Sequence, residues 1–223
     1  MLLLVADTSG RNGSVALARA DERGVVVIEV AGLTGGSFSS QLVPQIAALL
    51  ASHTFTKTDI DAFVVVSGPG SFTGLRVGLA AIKALAEILH KPIAPVSLLE
   101  AIALASGARG RVVAALDAGR GEIYAGEYQV AAEAAQVLQE RVLTKIEFFS
   151  GVGSFPVATP DVPLSDLARD AGLSVFLVEP ASIAAITSLG YRKLQAGIAI
   201  SAEQLDANYM RRSDAEIFAK IGL

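Results

Sequence analysis

Cysteine is absent from all 223 residues. That excludes disulfides, thiolate metal sites and cysteine nucleophiles, and it fits a cytoplasmic protein. Histidine is scarce: His53 and His90 are the only two. They stand far apart and make neither an H-x-x-x-H nor an H-E-x-x-H arrangement, so a histidine-based metallohydrolase is hard to build. A nucleophile–histidine triad has little support for the same reason. An excess of positive charge is lacking too. The formal net charge is −4, which argues against a large basic surface that binds nucleic acid unaided. No uncharged run is long enough to span a bilayer. The opening Met1-Leu2-Leu3-Leu4-Val5-Ala6-Asp7 has no basic flank and meets an acid too early for a signal peptide. Aromatics make up 6% of a chain that is 52% hydrophobic, so its core must be built mostly from Ala, Val, Leu and Ile, as in α/β layers.

What is present is organised around Val64-Val65-Val66-Ser67-Gly68-Pro69-Gly70-Ser71-Phe72-Thr73-Gly74-Leu75-Arg76-Val77-Gly78. The valine run reads as a strand buried on both faces. Gly68 and Gly70 permit backbone angles that other residues resist, and Ser71 or Thr73 can cap the helix that follows. That helix carries two apolar faces. Leu75, Leu79, Ile82, Ala86 and Leu89 form one, and Val77, Ala81, Ala84 and Ile88 the other. Arg76, Lys83 and Glu87 leave one narrow charged stripe. A helix apolar nearly all round must be covered on two sides. Its own sheet covers one; the other calls for a second helix, from this chain or from a partner. Gly74, Gly78 and Ala81 are small enough to admit another backbone.

Along the chain, Leu2 to Ala6, Ser14 to Arg19 and Val25 to Val30 read as a three-stranded meander. A helix over Gln41 to Ser52 has Leu42, Val43, Ile46, Leu49 and Leu50 at helical spacing, with Pro44 required in its first turn or bending it. Pro92 to Val96 is a strand, and Ser97 caps a helix through Leu104. A domain boundary is expected at Ser106-Gly107-Ala108-Arg109-Gly110, dividing 1–106 from 107–223. Beyond it come strands at Arg111 to Leu116, Glu122 to Val130 and Val137 to Leu143. A loop at Ser150 to Ser154, a helix near Leu164 to Ala171, a strand near Ser174 to Val178 and a helix near Ser182 to Leu189 follow. Tyr209 to Arg212 is expected as a last strand. Ser213 to Ile221 is expected as a terminal helix that packs back on the first lobe. The second half echoes the first: a strand ending in Asp7, a Gly-Arg turn and a returning strand recur at Asp117, Gly119-Arg120-Gly121 and Glu122-Ile123-Tyr124. This implies two domains of related topology.

Two stretches could carry chemistry. Asp7-Thr8-Ser9 ends the first strand, where a carboxylate can hold Mg²⁺ through water and turn amides can hold phosphate oxygens. Taken alone it reads better as an ordinary hairpin turn. The glycine turn precedes a helix N-terminus, which attracts anions. It is not a Walker loop, since Gly74-Leu75-Arg76 stands where Gly-Lys-Ser or Gly-Lys-Thr is needed, and it misses G-x-G-x-x-G by one residue. Asp117 and Glu122 lie on adjoining strands and could share a face. The residues by themselves thus give a two-domain α/β protein with no complete active site.

The glycine motif from Ser67 to Gly78, preceded by Asp7-Thr8-Ser9, resembles the TsaB (YeaZ) family, as do Asp117-Ala118 and Gly121-Glu122-Ile123-Tyr124. The resemblance fades over Ser150 to Ala202 and returns faintly at Tyr209 to Arg211. It implies the actin-like ATPase (ASKHA) fold, with two related RNase-H-like lobes of mixed sheets and flanking helices. It also implies a non-catalytic subunit of the bacterial machinery that adds threonylcarbamoyl to N6 of adenosine 37 in tRNA. Such a subunit forms a heterodimer with the catalytic subunit TsaD, recruits the ATPase TsaE, can self-pair through the same helices, and meets tRNA only through the complex. No cofactor or metal is implied. Leu42, Ile46, Phe72, Leu75, Val77, Gly78, Ala81, Ile82 and Ile88 are the expected partner interface. Asp7, Thr8, Ser9 and Asp117 would be a degenerate nucleotide site. The alternative is a stand-alone ASKHA-type ATPase or kinase using Asp7 and the glycine turns. A glycoprotease-like peptidase is disfavoured by the missing histidine pair. The chain departs from the family pattern at Phe38, where His often precedes Ser, at Gly119 in place of Arg, and at Ala207 in place of Pro.

Overall fold

The first strand, β1 (Leu2–Asp7), is apolar for five residues and buried over all five. It lies between β2 (Gly13–Asp21), antiparallel to it, and β4 (Ala62–Gly68), parallel to it. With β3 (Gly24–Leu33) and β5 (Ile93–Ser97) they form a five-stranded sheet of order β3-β2-β1-β4-β5. Every residue of β4 is buried, as the valine run requires of a strand covered on both faces. A computed structural model provides this description, over residues 1–132 and 134–208. The expected strand at Tyr209 to Arg212 and helix at Ser213 to Ile221 lie outside the described residues.

Helices α1 (Phe38–Ser52) and α2 (Phe72–Leu89) pack on the sheet face made by Leu4, Ala6, Phe63 and Val65. Side chains alternate across a strand, so Val64 points to the other face, where it meets Gly190. Helix α1 starts earlier than its apolar spacing predicts, at Phe38. Pro44 therefore sits inside the helix and not in its first turn, leaving the Ser40 carbonyl without an amide four residues on.

A second five-stranded sheet has order β10-β9-β6-β7-β8. Its strands are β6 (Gly110–Gly119), β7 (Glu122–Val130), β8 (Ala135–Thr144), β9 (Val157–Thr159) and β10 (Val175–Leu177). Relabelled from its own first strand, this is the order of the first sheet. The echo between Asp7 and Asp117 thus marks equivalent ends of β1 and β6. Each edge hairpin also carries a register shift at a similar place, between Leu17 and Ala18 and between Glu127 and Tyr128. Such bulges bend an edge strand and blunt its unpaired side.

The chain divides into two compact units, Met1–Ser97 with Ser182–Asn208, and Leu98–Ala181. The first stretch therefore ends before 106. Helix α3 (Leu98–Ala105) packs Leu99, Ile102 and Ala103 against Val112, Ala114 and Tyr128 of the second sheet. The opposite face of that sheet is covered by α4 (Lys145–Gly151) and α5 (Val162–Asp170), through Phe148, Val152 and Leu164. Helix α6 (Ile183–Gln195) returns to the first unit: the Tyr191 hydroxyl donates to the Asp21 carbonyl at 2.9 Å, and Lys193 Nζ donates to the Pro95 carbonyl at 3.0 Å. No helix among the described residues is long and apolar enough to cross a membrane.

Candidate partner-docking face

Helix α2 starts where Ser71 accepts the Gly74 amide through its side chain, at 3.2 Å. Its residues advance by about 100° each. Leu75, Gly78, Leu79, Ile82 and Ala86 fall inward and are buried. Thr73, Ala80, Ala84 and Ile88 fall on the crest and are exposed, Ile88 to 67%. Val77 and Ala81 sit half-buried between crest and core. Glu87 is exposed as well and, seven residues after Ala80, borders the crest on one side. The charged stripe of Arg76, Lys83 and Glu87 lies to one side: the Arg76 guanidinium sits 3.8 Å from the centroid of the Phe72 ring, and Lys83 reaches the carbonyls of Glu203 and Leu205. Helix α1 repeats the pattern, with Leu42, Ile46, Leu49 and Leu50 buried and Val43, Pro44, Ala47 and Ala51 exposed, Val43 to 59%.

The two apolar faces read from the sequence thus have different fates. The Leu75 face is core, and most of the Val77 face is surface. Of the expected interface residues, Leu42, Ile46, Leu75, Gly78 and Ile82 are core residues of the first unit, because the sheet beneath both helices takes their most apolar side. Phe72, Val77, Ala81 and Ile88 keep outward surface. Thr73, Ala80, Ala84 and Val43 join them; their signal was the apolar spacing itself, once the inward side is known.

The glycines of the motif have a local explanation. A Cβ on Gly70 would strike the Ser9 carbonyl, one on Gly74 the Thr8 carbonyl, and one on Gly78 the Thr8 hydroxyl. The backbone that approaches Gly74 and Gly78 belongs to the same unit: it is the turn after β1. The Ser71 amide donates to the Ser9 carbonyl at 2.7 Å. Asp7 Oδ1 accepts from both the amide and the hydroxyl of Ser9, at 2.9 and 2.5 Å. Thr8 and Ser9 are buried. Asp7 and the glycine turn are therefore engaged with each other through Thr8 and Ser9. Phe38 is buried beside Gly13 and Gly74, which gives that departure a packing role. Ala207 packs half-buried on the same core.

Asp117 lies in the second unit, exposed at the end of β6. Its amide donates to Asp161 Oδ2 at 2.6 Å, and its own Oδ1 accepts from the Gly119 amide at 3.2 Å. Gly119 has φ of 72°, which glycine adopts at least cost and Arg resists. Among the described residues no cluster of three or more His, Asp or Glu is placed to hold a metal ion.

The family model for TsaD, tRNA N6-adenosine threonylcarbamoyltransferase, matches residues 30–207. The tRNA threonylcarbamoyladenosine biosynthesis protein TsaB of Haemophilus influenzae is 32% identical over 176 residues, covering 76% of this chain and 69% of that protein. TsaB of Bacillus subtilis is 37% identical over 131 residues, covering 58% of this chain but only 56% of that protein. The solved structure of YeaZ from Pseudomonas aeruginosa superposes with a TM-score of 0.71 at 24% identity, covering 93% of this chain and 99% of that one. With the two matching strand orders, the architecture is the α/β actin-like ATPase fold, built of two RNase-H-like lobes.

Proposed function

Because the chain belongs to the TsaB (YeaZ) family, we propose that it serves tRNA threonylcarbamoyladenosine formation as a non-catalytic, dimerising subunit. Its partner is a TsaD-like catalytic subunit, seated on the crest of α2 and the exposed side of α1. One observation carries this reading. The crest of Thr73, Ala80, Ala84 and Ile88 is apolar or uncharged and open, and the charges of the same helix are confined to one border of it, where Arg76 lies over Phe72 and Lys83 reaches the Leu205 carbonyl. A surface helix normally shows the reverse. Apolar surface of this kind is characteristic of the desolvated centre of an interface. The same crest suits self-pairing when the partner is missing. A TsaE-like ATPase joins the complex, tRNA is met only within it, and the site of action is the cytoplasm.

The alternative of a stand-alone ATPase or kinase gains nothing from the glycine turn, whose close approach is taken up by Thr8 and Ser9. A reconstitution separates the two. The threonylcarbamoyl-adenylate synthase, TsaD, TsaE, ATP, threonine, bicarbonate and tRNA are combined with and without this chain, and modified adenosine is counted. The docking reading expects modification to depend on the chain, to survive Asp7→Asn, which keeps the acceptor for Ser9, and to fail with Val77→Glu or Ala84→Glu. Modification indifferent to the chain would overturn it, and nucleotide hydrolysis abolished by Asp7→Asn would support the alternative.

A further inference from the structure

After α6 the chain stays with the first unit. Ile200 bridges Ile93 of β5: its amide donates to the Ile93 carbonyl at 2.8 Å, and its carbonyl accepts from the Ile93 amide at 2.9 Å. Ala202 and Leu205, 5% and 4% exposed, enter the core that also holds Leu79, Ile82 and Ala86 of α2. Lys83 Nζ donates to the carbonyls of Glu203 and Leu205 at 3.4 and 3.3 Å. The Asn208 amide donates to the Ser67 carbonyl at 2.8 Å, and the Asn208 carbonyl lies over Gly68. Residues 198–208 thus run from β5 along the charged flank of α2 to the end of β4. Helix α1 packs against α2 elsewhere, and the crest is left open.

Helix α2 needs such support. It contains Gly74 and Gly78, and glycine is the poorest ordinary helix former after proline. Those glycines are imposed by Thr8, so the helix cannot gain order from better-suited residues at these positions. Among the described residues, the segment beside it has no regular secondary structure and buries only Ala202 and Leu205, with Ile200 and Ala207 half-buried against the same core. Segments with few buried contacts open locally before the whole protein unfolds.

We propose that residues 198–208 form a detachable strap that sets the order of α2 and thereby regulates docking at its crest. The inference rests on the docking reading of that face. With the strap seated, α2 presents a rigid crest and little ordering entropy is lost on binding. With it detached, α2 loosens and affinity falls.

The test uses the full chain and a TsaD subunit. Ile200→Pro removes the amide of the bridge, and Leu205→Ser removes the apolar anchor; neither residue is on the crest. Val113→Ala, in the second unit, controls for general loss of stability. Amide hydrogen exchange over Leu75 to Leu89 is expected to quicken about tenfold in both strap variants, relative to α6, and affinity for TsaD to fall by about the same factor. The control is expected to do neither. Unchanged exchange in α2 overturns the strap, and quickened exchange with unchanged affinity overturns its regulatory role. Val77→Glu, measured alongside, tells the two readings apart. If it leaves affinity intact the docking face is wrong and regulation through it falls as well, while exchange still decides whether the strap orders α2.

Discussion

Gly78 shows how one residue can serve packing where its sequence context suggests chemistry. It stands in a glycine-rich motif before a helix, which reads equally as an anion site or a tight turn. The structure puts the Thr8 hydroxyl where its Cβ would be. Gly78→Ala is therefore expected to destabilise the chain by about 1–3 kcal/mol, as overpacking does. Thr8→Ala in the same chain is expected to recover part of that loss, a non-additivity that denaturant unfolding of the four variants would measure. Neighbouring positions on α2 separate stability from docking. Ile82 is fully buried, so Ile82→Ala is expected to cost about 2–5 kcal/mol. Ala84 is exposed, so Ala84→Glu is expected to change stability by no more than about 0.5 kcal/mol while abolishing capture of TsaD. If Ala84→Glu unfolds the chain, the crest is misassigned.

Among the elements, α4 and β9 were the ones the apolar pattern did not announce. β9 has only three residues, too few to show alternation. α4 has seven, too few for a helical stripe, but it carries a local signature in Thr144-Lys145-Ile146-Glu147. The Thr144 amide and hydroxyl both donate to Glu147 Oε2 at 2.8 Å, and the Glu147 amide returns a bond to the Thr144 hydroxyl at 3.2 Å. This is a capping box. The backbone hydrogen bond from Thr144, then its side-chain bond, hold the Glu147 carboxyl below its ordinary pKa. Thr56 does the same for Asp59. A carboxyl lowered in the folded state stabilises it above its ordinary pKa, and that contribution is lost as pH falls through the folded value. Carboxyl NMR titration is expected to place the Glu147 midpoint below that of an ordinary Glu, and Thr144→Ala, which removes the hydroxyl but keeps the backbone amide, to return it only part of the way. An unchanged midpoint would show that the box does not form. Exposure keeps the effect small, so acid unfolding should not be governed by it.

At the scale of the whole molecule, the two units exchange helices along the chain. α3 follows β5 but covers the second sheet; α6 follows β10 but covers the first. The sequence repeat announces two related sheets, yet it cannot say which helix covers which. A cut at Ser97 should therefore not yield a folded first unit. Fragment 1–97 leaves the Val64 face of its sheet without Gly190 and Tyr191. It is expected to melt without a cooperative transition, and a peptide of residues 182–208 added in trans is expected to restore one. Cooperative calorimetric unfolding of 1–97 alone would show that α6 is dispensable to that sheet.

Local pattern by itself determined the buried strand at Ala62–Gly68, the meander before it, the doubled sheet motif with Asp7 and Asp117 at equivalent strand ends, and a helix with two apolar faces. Those features depend on side-chain period and turn chemistry within a few residues, which a sequence displays directly. Tertiary structure alone decided that the Leu75 face turns inward and leaves Ala84 and Ile88 of the second face exposed with Val77 and Ala81 half-buried, that the motif glycines answer to Thr8 and Ser9, and that residues 182–208 return to the first sheet. Each depends on what lies opposite a residue in space. Periodicity fixes the spacing of an apolar stripe but not the direction of the core, and partners more than a hundred residues apart, such as Lys83 and Leu205, leave no local trace of each other.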